Sequence, residues 1–518
     1  MLENGKIWLA TDNGEHLCLL PEMANRHGLI AGATGTGKTT TLKVMIEGFA
    51  KDGIPTFVAD VKGDIASLYL PGQDNANMQE RIARFGITNW QYQGFPIQLW
   101  DIFGTYGLPV KATISSMGPD MLSRLLNLTD VQEGVLSVIF HIADDKGLIL
   151  DDLKDLRAML QYVSDNRASF STKYGNIAVA TVSTIQRILL QLEDQGGDAF
   201  FGQPQLDIMD WLTTDDKGQG TVNILHCAKL IQTPQLYSMF LLWMLGELFN
   251  RLPEVGDLEK PKIVFFFDEA HLLFKDTPAA LEAKIEQVVK LIRSKGVGVY
   301  FCTQGPNDIP NNVLAQLSNR VQHALRAYTP EDQKAIKAAI DGFRQNPQLD
   351  AKAAITELKT GEALVSFLQA DGSPSIVQRG FIMPPQSKFG AIEDSLRNQL
   401  IASSPLRNKY SQTIDRTSAY ESLQANPTAS VNSTLTTNTD NLTEIQKENL
   451  RLDQEEAELK LEQRKAKLAA EKEKLKNGYS TKRKTKSTAD KMIDAALTTG
   501  SRTVANKLVR GILGNLFK

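Results

Sequence analysis

"HGLIAGATGTGKTTTLKVMIEGF", residues 27–49, runs an apolar strand into a glycine-studded turn and on into an amphipathic helix. Gly32, Ala33, Thr34, Gly35, Thr36, Gly37, Lys38, Thr39 and Thr40 lie on that turn and the start of the helix, and they fill the spacing G-x-x-x-x-G-K-[ST] in the strand-to-helix setting the motif requires. Glycines let the backbone fold its N–H groups inward around a β-phosphate, and the helix N-terminus adds partial positive charge. Lys38 then neutralises β and γ oxygens, and the Thr39 hydroxyl ligates Mg²⁺. The stretch therefore predicts a loop that holds ATP and Mg²⁺.

Outward from the loop, strands and helices alternate in the βαβ manner, which predicts an α/β fold with a mostly parallel sheet. Residues 1–104 read as a hairpin ("KIWLA" and "EHLCLL" around "TDNG") followed by the first part of this core. Residues 105–220 turn to helical periodicity, as in "DMLSRLLNLTDVQEGVLSVIFHIA" and "TVSTIQRILLQLEDQ", and read as a helical insertion. The alternation resumes over 221–384 with "TVNILHCAKL", an apolar helix at 234–250, "KIVFFFDEA", a helix at 279–295, "VGVYFCTQ", "RVQHALRA" and "GEALVSFL".

Past 384 the pattern fades. Residues 385–440, with "TASVNSTLTTNTDN", have the composition of a flexible linker. The tail, 441–518, is helical and partly disordered in expectation: Glu, Lys, Leu and Ala dominate 441–476, which suits a single solvated helix as well as a short coiled coil. After "KRKTK", Val504, Leu508, Ile512 and Leu516 share one helical face, fit for a protein partner or anionic lipid.

Composition narrows the classes. The 518 residues are 42% hydrophobic and 23% charged, ordinary for a globular core with appendages. A net charge of −3 gives no global bias toward nucleic acid, so any polyanion site must be local. No run approaches the roughly 20 apolar residues of a membrane span. Cys18, Cys227 and Cys302 lie far apart in apolar surroundings, which fits a reducing cytoplasm.

A second site element is "KIVFFFDEAH", an apolar strand ending in Asp268 and Glu269. At the carboxyl end of a strand Asp268 would hold the Mg²⁺ shell and Glu269 would orient and deprotonate a water. This favours hydrolysis over mere binding. His271 makes the string resemble the DEAH of some helicases, but a histidine there serves packing as readily, and no catalytic role is assigned to it. A third element, "VGVYFCTQ", delivers Thr303 and Gln304 to the same edge, where an amide can contact the γ-phosphate or the water.

Taken together, "NRHGLIAGATGTGKT", "VADVKGD", "FFFDEAH", "RSKGVGVYFCTQ" and "LSNRVQHALR" resemble the HerA/FtsK branch of RecA-type P-loop motor ATPases, most closely the YjgR-type bacterial HerA-like ATPases, over residues 20–385. The resemblance implies a RecA-like core, a homo-hexameric ring with nucleotide between subunits, and movement along double-stranded DNA. It also implies that Arg293 reaches into the neighbouring subunit's γ-phosphate and that Arg26 is a second arginine near the site; either can equally serve a surface ion pair. The β-barrel that precedes the core in HerA proteins has no counterpart in the 26 residues before the loop strand, and the spans and winged helices of FtsK types are missing from the pattern. Alternatives stay open: an ATPase that remodels or scaffolds a protein partner through the insertion or tail, or a nucleotide-gated binding switch. Lys62 and the basic residues near "KATISS" are candidates for tracking DNA phosphates.

Overall fold

The computed structural model describes residues 1–274, 279–326 and 328–425. The expected tail at 441–518 lies outside them. Thirteen strands form one sheet: β1 (Leu2–Glu3), β2 (Lys6–Asp12), β3 (Glu15–Leu19), β4 (Gly28–Ala31), β5 (Thr56–Asp60), β6 (Ile97–Asp101), β7 (Leu108–Pro109), β8 (Val222–His226), β9 (Ile263–Phe267), β10 (Val297–Thr303), β11 (Asn319–Gln322), β12 (Glu362–Ser366) and β13 (Gln378–Ile382). The order is β1-β2-β13-β12-β11-β4-β10-β9-β5-β8-β6-β7, with β3 paired to β2. From β11 to β7 every pairing is parallel, whereas β12, β13 and the N-terminal hairpin form an antiparallel wing.

The central strands are apolar along their whole length because both faces are covered. Alternation along β9 shows the two sides. Val264 and Phe266 pack with Ile30, Tyr300 and the helix α1 (Lys38–Lys51), whose Leu42, Met45 and Phe49 are buried there. Ile263, Phe265 and Phe267 point the other way, into a core shared with the helices Pro234–Arg251 and Ala279–Ile292.

The insertion extends that second core. Leu136, Ile139, Leu156, Ile185 and Leu189, from helices Asp130–Lys146, Leu153–Asp165 and Val179–Asp194, belong to the same continuous cluster as Phe265 and Phe267. The run quoted above as one periodic stretch breaks at Asn127 (φ 51°), after which Thr129 caps the next helix in a capping box with Gln132. Trp243 Nε1 donates to Ser116 Oγ across the seam at 3.1 Å.

The linker expectation for 385–440 does not hold over its described part. Residues 386–425 carry the helices Asp394–Ser403, Arg407–Tyr410 and Ala419–Ala425 and pack along the core. Their anchors are polar. Gln386 N and Ser387 N donate to buried Glu47 at 2.8 and 3.0 Å, and Lys43 Nζ, also on α1, donates to Lys388 O at 2.5 Å. Arg416 holds Asp151 with two bonds of 2.6 and 2.8 Å, and buried Tyr410 meets Trp100 edge-on at 5.3 Å. Such anchors leave no apolar periodicity to read. Among the described residues no helix is long and apolar enough to cross a membrane.

Candidate nucleotide site

The loop is built on β4. Gly32 N donates to Thr303 O at 3.3 Å and Ala33 N to Ala324 O at 2.9 Å, which tie the loop to the ends of two neighbouring strands. Gly32 has φ +152°, and a Cβ there would come 2.5 Å from His323 Cβ, so the loop's close approach to β11 needs glycine. Gly37, at φ +116°, turns the chain into α1 in a conformation side chains resist. Lys38 is buried, and its Nζ donates to Gly32 O at 2.6 Å and Ala33 O at 3.2 Å, which folds the ammonium over the loop.

Behind the loop stands His323. Its Nδ1 lies 2.9 Å from Glu362 O, an acceptor, so that nitrogen carries the proton; Nε2, 2.8 Å from Thr41 Oγ1, accepts. Burial lowers its pKa to about 4, with Lys38's charge acting the same way, so the ring stays neutral. It braces the first turn of α1 against β12.

The second element stands beside the first. Ala270 N donates to Cys302 O at 2.8 Å, fixing the turn after β9 to β10. Asp268 is buried, and burial raises its pKa against the opposing pull of Lys62. Glu269 has φ +48°, a left-handed backbone that a side-chain-bearing residue keeps only when its surroundings hold it. Its Oε1 accepts from Lys62 Nζ at 2.8 Å, and the same ammonium lies 3.9 Å from Asp268 Oδ2. Oε2 makes no hydrogen bond among the described residues; His271 Nδ1 is 3.5 Å away. Burial pushes the Glu269 pKa up, but the bond to Lys62 and the charges of Lys62 and Lys38 outweigh it, and the carboxyl sits below its ordinary range.

Gln304 is exposed just past β10, on a turn that Asp308 pins by accepting from Thr303 Oγ1 at 2.7 Å and Gly305 N at 2.8 Å. The ends of β4, β9 and β10 therefore bring the loop, Asp268, Glu269 and Gln304 to one edge. Arg26 and Arg293 are elsewhere. They lead into the amino ends of β4 and β10 and meet at Asp257, with contacts of 3.8 and 3.3 Å. The seven residues of β10 separate the edges by roughly 20 Å at about 3.3 Å per residue.

The residues suit a nucleotide with its metal. Nothing lies within 4 Å of a Cβ built on Gly35, which leaves the loop's crest open. The first turn of α1 has N–H groups outside the helical ladder. The Thr39 hydroxyl and Asp268 carboxylate are the hard oxygen donors Mg²⁺ takes. Sequence reading missed two participants. Lys62 reads from sequence only as a candidate for tracking DNA phosphates, and His323 lies 282 residues from the threonine it contacts, so no spacing announces it.

A phosphate loop and a tandem-acid strand end, both on the parallel part of one sheet, define a P-loop nucleotidase. The chain belongs to the Helicase HerA-like C-terminal family, which matches residues 6–518. It is 24% identical over 361 residues to "Probable helicase MJECL08" of Methanocaldococcus jannaschii, covering 66% of this chain and 64% of that one. It is 28% identical over 117 residues to "DNA double-strand break repair helicase HerA" of Sulfolobus acidocaldarius, covering 22% of each. Less than two thirds of either relative is thus spanned. Among solved structures, the plasmid coupling protein TrwB in complex with the non-hydrolysable GTP analogue GDPNP is 15% identical, with 72% of this chain and 88% of that chain covered and a TM-score of 0.46.

Proposed function

We propose that this chain is a cytoplasmic Mg²⁺-dependent ATPase that assembles as a ring of six copies and moves along double-stranded DNA. The observation that carries the reading is the division of charge between the sheet's edges: phosphate-holding groups on one, Arg26 and Arg293 on the other. A second copy can set its arginines against the first copy's phosphates, so the finished site lies between subunits. Family membership and the helicase names of the two relatives support the same reading.

In this reading Lys38 and the loop N–H groups hold the β- and γ-phosphates, and Thr39 with Asp268 holds Mg²⁺, which supplies charge neutralisation across those oxygens. Glu269 takes the water's proton as its oxygen bonds to the γ-phosphorus and the bond to ADP breaks. Gln304 contacts the γ-phosphate or that water. Arg293, with Arg26 beside it, comes from the neighbouring copy.

The test is steady-state ATP hydrolysis by the full chain with and without linear duplex DNA, with Lys38→Ala as the blank. Stimulation that weakens with added salt supports the DNA motor. Hydrolysis indifferent to DNA moves the reading to a protein-directed ATPase whose partner docks on the insertion or on the tail, residues 441–518. No hydrolysis above the blank sinks the ATPase reading.

A further inference from the structure

Lys62 does not behave as a loose surface lysine. It sits on a turn pinned from both sides: buried Asp60 accepts from Gly63 N at 2.7 Å and from Ile65 N at 3.1 Å, and Asp60 O accepts from Cys227 N at 2.8 Å. Gly63, at φ +77°, closes the turn against the ring of His226. The turn directs Nζ onto Glu269 Oε1 at 2.8 Å while leaving the lysine 42% exposed. Its partner is only 13% exposed and has the left-handed backbone described above.

We infer that Lys62 is a positioning residue for Glu269: its ammonium clamps Oε1 and so fixes the rotation of the carboxylate that takes the water's proton. A glutamate on a strained turn has several rotamers within reach, and a base must lie within hydrogen-bond distance of the proton it takes. One oxygen held by a salt bridge removes that freedom. The other is buried with no hydrogen bond among the described residues, so the bond to Lys62 is what sets the carboxylate's orientation. Nζ also sits 3.9 Å from Asp268 Oδ2, so one cation balances both adjacent acids. Lys62 touches neither the water nor the phosphates in this role; it acts through Glu269. The inference rests on the ATPase reading above.

The test uses the full chain and two readouts: steady-state ATP hydrolysis, and equilibrium binding of a fluorescent ATP analogue with Mg²⁺. Lys62→Ala is expected to lower kcat by about tenfold to a hundredfold, with KM and analogue affinity held within about twofold. Lys62→Arg keeps a donor in reach and is expected to restore most of the loss. In a Glu269→Gln background the Lys62→Ala change is expected to cost little further, because the two act as one unit. The assignment is overturned by a Lys62→Ala chain that turns over like wild type or faster, by an equal loss in analogue affinity, by an arginine variant no better than alanine, or by full additivity with Glu269→Gln. A wild-type chain that binds the analogue yet hydrolyses no ATP overturns the ATPase reading and this inference with it, an outcome distinct from a turning-over wild type matched by Lys62→Ala.

Discussion

At the carboxyl edge of the sheet Lys38, Lys62, Asp268 and Glu269 are wired to their surroundings within one chain; at the amino edge Arg26 and Arg293 share the carboxylate of Asp257, which is 75% exposed. Each edge also holds a buried neutral histidine. His323 braces the phosphate loop, while His27 accepts from Val299 N at 3.1 Å and donates to Val289 O at 2.7 Å beside the arginines. Lys62 and the two arginines are exposed to similar degrees, yet only at the carboxyl edge are the acids that pair with them largely buried. An exposed ion pair contributes about 0–1 kcal/mol, so Asp257 does little to occupy the two guanidiniums. In the reading proposed above, this difference has the carboxyl edge receive the nucleotide and the amino edge offer its arginines to a second copy.

The comparison breaks most sharply at Lys38. Lys38→Ala is expected to reduce ATP turnover by about 10³-fold or more and to weaken binding of a fluorescent ATP analogue, because it removes the cation aimed at the phosphates. Retained turnover would mean the carboxyl edge is not the site. Next comes Arg293→Ala, expected to cost about 10³-fold in turnover with analogue affinity nearly unchanged. Mixing these subunits with Glu269→Gln subunits should restore some activity, since some interfaces then carry both intact groups; no recovery at any ratio removes the placement in trans.

Acid sharpens the contrast in framework. His27 and His323 each have a pKa lowered by burial to about 4 from 6.5, so between those values the unfolded chain binds more protons than the folded one. Their contribution is complete above pH 6.5 and is lost as pH falls toward 4, by up to about 3 kcal/mol for each. Urea unfolding from pH 7 to 4.5 measures the slope, and His323→Asn should flatten part of it. The smallest effect is expected at Asp257→Ala, within about 0.5 kcal/mol in stability. A large destabilisation there would show that the arginines are tied down after all.

The fold was legible where apolar runs did the work. β4, β5, β9 and β10 are continuous apolar segments bounded by glycine or acid, and α1 follows from the loop motif. The same reading reached the loop and the acid pair because their chemistry is local. It failed where partners are distant or polar. Nothing adjacent to "VKGD" says that Lys62 meets an acid from a strand about two hundred residues on. The segment after 384 reads as linker because the backbone N–H groups of Gln386 and Ser387, the Ser387 hydroxyl and the Arg416 side chain satisfy Glu47 and Asp151 rather than filling an apolar stripe.

That segment decides where the chain tolerates being cut. A protein ended at residue 384 keeps every strand and every site residue, yet it strips buried Glu47 of three donors and buried Lys43 of one acceptor, both on the helix that carries Lys38. Losing the partners of a buried charge costs about 3–5 kcal/mol, a large part of a domain's stability. A shortened chain that keeps these charges partnered therefore has to run past Lys388, and one that also keeps Asp151 paired has to run past Arg416.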